Sequence, residues 1–134
     1  MKNIYETARE AAELTRFVDA VRAAGLQDLL SGEGPFTVFA PTNEAFGKVS
    51  GRFRPAMQNH VVRARISTAD IRQQGTMRIG TVGGDAIAVA WSPDAGQLTV
   101  EDARIIQADI AATNGVIHIV DYLIRPAAVE TAAR

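Results

Sequence analysis

The chain has 134 residues, 47% hydrophobic and 22% charged, a composition that suits one globular domain and excludes a disordered segment. It has no cysteine, so disulfides and thiol chemistry are excluded, and a net charge of −1 predicts no nucleic-acid partner. No apolar run approaches the ~20 residues of a membrane span, and the charged start MKNIYETAREAAELTR lacks the apolar stretch of a signal peptide.

Leu14, Phe17, Val18 and Val21 recur at helical spacing, and Gly25 follows as a natural residue to end that helix. Ile4, Tyr5, Ala8, Ala11 and Ala12 predict a shorter helix before it, and Leu26, Leu29 and Leu30 one more apolar turn after it. Gly34-Pro35 breaks the pattern, and Phe36-Thr37-Val38-Phe39-Ala40 reads as a fully buried strand stopped by Pro41. Thr42 is placed to cap a short helix through Phe46, with Glu44 near its positive end. Residues 47–58 are the least regular, with Pro55 suited to the first position of a helical turn.

The stretch from His60 to Ile66 alternates as a strand does, and Ser67-Thr68-Ala69-Asp70 has capping-box spacing that predicts a helical turn. From Thr76 onward the pattern is β, with strands near 76–82, 87–92, 97–101, 103–108 and 116–124. Gly83-Gly84-Asp85 and Pro93-Asp94-Ala95-Gly96 mark turns between them, and the Ala-rich final residues are expected to fray. Helices first and a mostly antiparallel β region later predict an α+β fold, organised as a single domain over 1–134.

Two longer motifs are more specific than this periodicity. Ala112-Thr113-Asn114-Gly115-Val116-Ile117-His118-Ile119-Val120-Asp121 reads as a turn, where glycine supplies φ > 0, followed by a buried strand. Its wording closely resembles the C-terminal motif of fasciclin-like (fasciclin I, beta-Ig) domains. Gly34-Pro35-Phe36-Thr37-Val38-Phe39-Ala40-Pro41-Thr42-Asn43-Glu44-Ala45-Phe46 resembles that family's N-terminal motif, and the resemblance covers about residues 3–126. It implies a wedge of two mostly antiparallel β-sheets flanked by short helices. It also implies a non-enzymatic cell-adhesion module, secreted, periplasmic or at the cell surface, that binds a cell-surface receptor or matrix protein.

The inventory of reactive groups offers no catalytic pattern: no nucleophile elbow, no phosphate loop and no His-Glu-x-x-His. His60 and His118 are the only histidines, and neither has a carboxylate at metal-ligand spacing, so neither metal nor cofactor is expected. His118 alternates with Ile117 and Ile119, which predicts a structural histidine whose ring bonds backbone. His60, followed by Val61-Val62, matches the histidine of the family's Tyr-His element, with Asn59 in place of the tyrosine. The resemblance makes Asn59, His60, Val61 and Val62 candidate partner-binding residues.

Asp109-Ile110 stands where animal matrix members carry an adhesion pentapeptide centred on Asp-Ile, so the resemblance marks both residues for receptor binding. Charge supplies an alternative. Residues 52–78 hold six arginines and one acid, a local +5 that leaves −6 elsewhere, and Arg52, Arg54, Arg63 and Arg65 are candidates for an acidic polysaccharide.

Overall fold

The computed structural model describes residues 2–48, 57–101 and 103–124. The helices are α1 (Ile4–Arg9), α2 (Thr15–Ala23), α3 (Gln27–Leu30), α4 (Asn43–Gly47) and α5 (Thr68–Gln74). The strands are β1 (Phe36–Pro41), β2 (Val61–Val62), β3 (Thr76–Gly80), β4 (Ala86–Ser92), β5 (Gln97–Val100), β6 (Ala103–Ala112) and β7 (Gly115–Val120). The fold is α+β, as the element pattern predicts. The strands take the order β2-β1-β7-β6-β5-β4-β3, with β1 and β7 parallel and every other pair antiparallel. The order is continuous because β6 pairs with β5 at Ala103 and Arg104 and with β7 from Ile105 onward.

All residues of β1 and β7 are buried. Side chains alternate along a strand, so each of these strands feeds apolar groups to two cores. Phe36, Val38 and Ala40 join Ile117 and Ile119 in a core closed by Ile4, Phe17, Val21 and Leu30 from the helices. Phe39 and Val120 point the other way, into a second core with Ile71, Ile87, Val89 and Val100. Burial on both faces is why these segments read as continuous apolar runs rather than alternating ones.

Short-range capping closes the helices. The Asn3 and Glu6 side chains accept each other's backbone N–H at 2.8 and 3.1 Å, a box that starts α1. At the end of α2, Leu26 N–H bonds Val21 C=O at 3.0 Å and Gly25 N–H bonds Arg22 C=O at 3.0 Å, with Gly25 at φ 73°. That pair of bonds satisfies carbonyls the helix would otherwise leave open, and it needs the left-handed residue the sequence supplies. Thr42 Oγ1 accepts Ala45 N–H at 3.1 Å on α4, and Ser67 and Asp70 form the expected box on α5.

The strand expected from His60 to Ile66 is shorter: only Val61 and Val62 pair with β1. Thr37 on β1 ends the pairing, since its hydroxyl donates to Ala64 C=O and accepts Ile66 N–H at 2.8 Å, taking the place of ladder bonds. His60 itself ends a 3₁₀ turn, Met57–His60. The helical turn expected at Pro55 lies outside the described residues.

Gly115 is required for a reason different from the turn chemistry expected of it. Its φ is not in the left-handed region; instead, a Cβ there would lie 2.0 Å from the Phe36 carbonyl oxygen and 2.8 Å from Ile4 Cδ1. The side chain is absent so that β7 can sit against β1 and α1. Gly115→Ala is therefore expected to destabilise the domain by about 3 kcal/mol or more, because rigid backbone must move. A urea midpoint within experimental error of the parent would refute this close approach. Beside it, the Asn114 side chain accepts Ile4 N–H at 2.9 Å and donates to Leu30 and Gly32 carbonyls at 2.8 Å each. Its own carbonyl accepts Phe36 N–H at 2.9 Å, so one residue ties α1, the end of α3, β1 and β7 together.

Candidate functional site

Asn59, His60, Val61 and Val62 are all buried, so their side chains are taken up by the interior. Asn59 Oδ1 accepts the Thr81 hydroxyl at 3.1 Å. His60 Nε2 accepts Ile124 N–H at 3.4 Å, which leaves the ring proton on Nδ1, where it is donated to Phe39 C=O at 2.9 Å. Burial drives the His60 pKa down to about 4, against a smaller opposing effect of the Phe39 carbonyl.

Asp109 and Ile110 occupy a different setting. β6 is irregular between Ile105 and Gln107 and again between Gln107 and Ile110, and Asp109 sits in the second irregularity at φ 57°. A non-glycine residue pays for that conformation, and surrounding bonds hold it there. Thr68 N–H donates to Asp109 Oδ1 at 3.0 Å, and the Thr68 hydroxyl donates to Oδ2. From the other side, Asp109 N–H donates to His118 Nδ1 at 3.1 Å. His118 Nε2–H in turn donates to Ile66 C=O at 2.8 Å, so the ring is neutral and wholly engaged with backbone, as its place in the strand predicts. Asp109 is exposed and Ile110 is half-buried against the first core.

The electrostatics follow from these contacts. Burial lowers the His118 pKa, which the Ile66 carbonyl and the Asp109 carboxylate only partly oppose. For Asp109, partial desolvation pulls upward, but the two Thr68 bonds outweigh it, with help from His118 and Arg72. Its carboxyl is held below its ordinary 3.8 and is ionised at neutral pH. Next to this carboxylate, Ile106 is 57% exposed, the large hydrophobic residue most open to solvent among the described residues. Its exposure escaped the sequence pattern because the bulges break the alternation of β6.

The basic segment is not gathered into one patch among the described residues. Arg63 and Arg65 are exposed beyond β2, Arg72 lies on α5 and Arg78 on β3, while Arg52 and Arg54 fall outside the described residues. The groove beside Arg63 is also lined by Asp28 and Glu33, whose carboxylates weaken it as an anion site. Among the described residues no helix is long and apolar enough to cross a membrane.

The fold defines a class: a small α+β domain whose apolar parallel pair β1–β7 is extended on both sides by antiparallel strands. The Fasciclin domain family model matches residues 12–126, and the chain belongs to that family. Protein sll1483 of Synechocystis sp. is 38% identical over 92% of this chain and 73% of its own length. Transforming growth factor-beta-induced protein ig-h3 of Sus scrofa is 34% identical over 84% of this chain, which spans only 18% of that protein. A solved FAS1 domain pair from the insect cell adhesion molecule Fasciclin I superposes with a TM-score of 0.64 at 27% identity, covering 84% of this chain and 45% of that one.

Proposed function

We propose that this domain is a non-enzymatic adhesion module that works outside the cytoplasm, secreted, periplasmic or at the cell surface, and binds a receptor or matrix protein through the bulged part of β6. One observation carries the reading. Asp109 is an exposed, ionised carboxylate fixed in a left-handed backbone conformation by bonds from two other elements, α5 and β7. Preorganisation of that kind lowers the entropy lost when a partner docks. The kinship with a domain pair from a cell adhesion molecule supports the same reading. In this reading Asp109 engages a receptor-held cation, and the exposed parts of Ile106 and Ile110 supply apolar contact beside it.

The test is attachment of cells to a surface coated with the domain. Asp109→Ala, checked by circular dichroism to be folded, is expected to lose most of the attachment. Replacing Arg63 and Arg65 by Ala is expected to leave it intact. Raising salt shortens the Debye length from ~10 Å at 0.1 M to ~3 Å at 1 M, so a contact made by exposed arginines would fade while this one persists. Full attachment by a folded Asp109→Ala protein rules the β6 site out.

A further inference from the structure

The antiparallel register of β5 and β6 breaks off after two pairs, Thr99↔Arg104 and Val100↔Ala103. Continued, it would set Gln97 opposite Ile106. Instead β6 turns toward β7, with Ile105 opposite Val120. The gap left between the start of β5 and residues 105–109 of β6 is a groove of about 380 Å³, with α5 along one side. That lies near the lower end of the ~300–1,000 Å³ typical of ligand sites, a size for a sugar unit or two and not for a folded partner.

Three features of the groove are set in place without any ligand. Arg72, in the last turn of α5, lies with its guanidinium carbon 4.9 Å from the centre of the Trp91 ring. Among the described residues no carboxylate comes within salt-bridge distance of that guanidinium, so its forked donors are held in position and uncommitted to an ion pair. Asp109, fixed by Thr68 and His118, lines the same groove near enough to Arg72 for that guanidinium to help lower its pKa, and Gln97 and Gln107 also line it. The combination is selective. A densely sulfated chain would be repelled by Asp109, whereas a neutral sugar would leave Arg72 unused. One carboxylate flanked by hydroxyl donors answers both charged groups, and a pyranose ring offers C–H faces to the exposed part of Trp91.

We propose that this groove binds a hexuronate unit of a polysaccharide, with Arg72 on the carboxylate, Asp109 and the two glutamines on the hydroxyls, and Trp91 against the ring. The proposal does not depend on the adhesion reading. Trp91 is the only tryptophan of the chain, so its fluorescence reports the site directly. The intact domain should be titrated with a tetrasaccharide of alternating glucuronate and N-acetylhexosamine, and with the same tetrasaccharide after reduction of its carboxylates to alcohols. Calorimetry supplies the affinity where a substitution alters the fluorescence baseline. A saturable response to the acidic tetrasaccharide is expected, with the reduced form and Arg72→Gln each weakened about tenfold or more, as loss of a charge-assisted fork implies. Arg72→Lys should fall between the parent and Arg72→Gln, and Arg63→Ala with Arg65→Ala should bind as the parent does.

Each of four results overturns the proposal: no saturable response, equal affinity for the reduced tetrasaccharide, unchanged binding by folded Arg72→Gln, or tighter binding of an acidic hexapeptide than of the tetrasaccharide. If Arg72→Gln fails to fold, Arg72→Lys and the reduced tetrasaccharide decide the matter. Cell attachment is read separately, so full attachment by Arg72→Gln leaves the adhesion reading standing whichever way the titration falls.

Discussion

Acidification from pH 7 to pH 4.5 is expected to destabilise the domain steeply, by on the order of 3 kcal/mol through His60 alone. In the unfolded chain His60 titrates near its ordinary 6.5; in the folded domain burial holds it near 4. Between those values the unfolded state binds the extra proton, so the stability His60 contributes is fully present above 6.5 and is lost as the pH falls toward 4. His118 is also lowered by burial and acts in the same direction. The geometry gives the reason: on each ring one nitrogen already accepts a backbone N–H, and a second proton would break that bond. Asp109 adds a further loss only below its ordinary 3.8, where its lowered folded pKa takes effect. Urea denaturation across this range should show the slope, and His60→Gln should flatten it even though it lowers stability at pH 7. A denaturation midpoint that does not move between pH 7 and 4.5 would contradict the neutral, buried histidines.

Phe39→Ala is expected to remove about 3–5 kcal/mol of stability, since a fully buried ring is lost and its cavity cannot close. For a domain of this size that is a fall of roughly 10–20 °C in the thermal midpoint. Phe39 sits with its ring centre 5.6 Å from that of His118, in the second core, and its carbonyl accepts the His60 ring proton. The cavity would admit water beside His118, so the truncation should also raise the His118 pKa toward its unfolded value, measurable by NMR titration. Phe36→Ala, on the opposite face of the same strand, should destabilise comparably without that pKa change. A midpoint within a degree of the parent for Phe39→Ala would mean that β1 does not form the core as described.

Much of this architecture was legible in the order of residues. Gly25, Thr42 and the Ser67–Asp70 pair end or begin helices as their spacing implies, because each acts on backbone only a few positions away. The apolar runs in β1 and β7 declare burial for the same local reason, and the alternation around His118 assigns it to the interior. What stayed hidden depends on distant segments. That Gly115 must lack a side chain follows from a carbonyl on β1, and the value of Asn114 from a helix 110 residues upstream. The burial of Asn59 to Val62, the bulge that turns Asp109 outward beside an exposed Ile106, and the groove between α5 and a β5–β6 pair that stops early all come from how the strands were joined. Local periodicity determines which face of a segment is apolar, but only the assembled sheet decides what covers that face and which polar groups are left beside one another at its breaks.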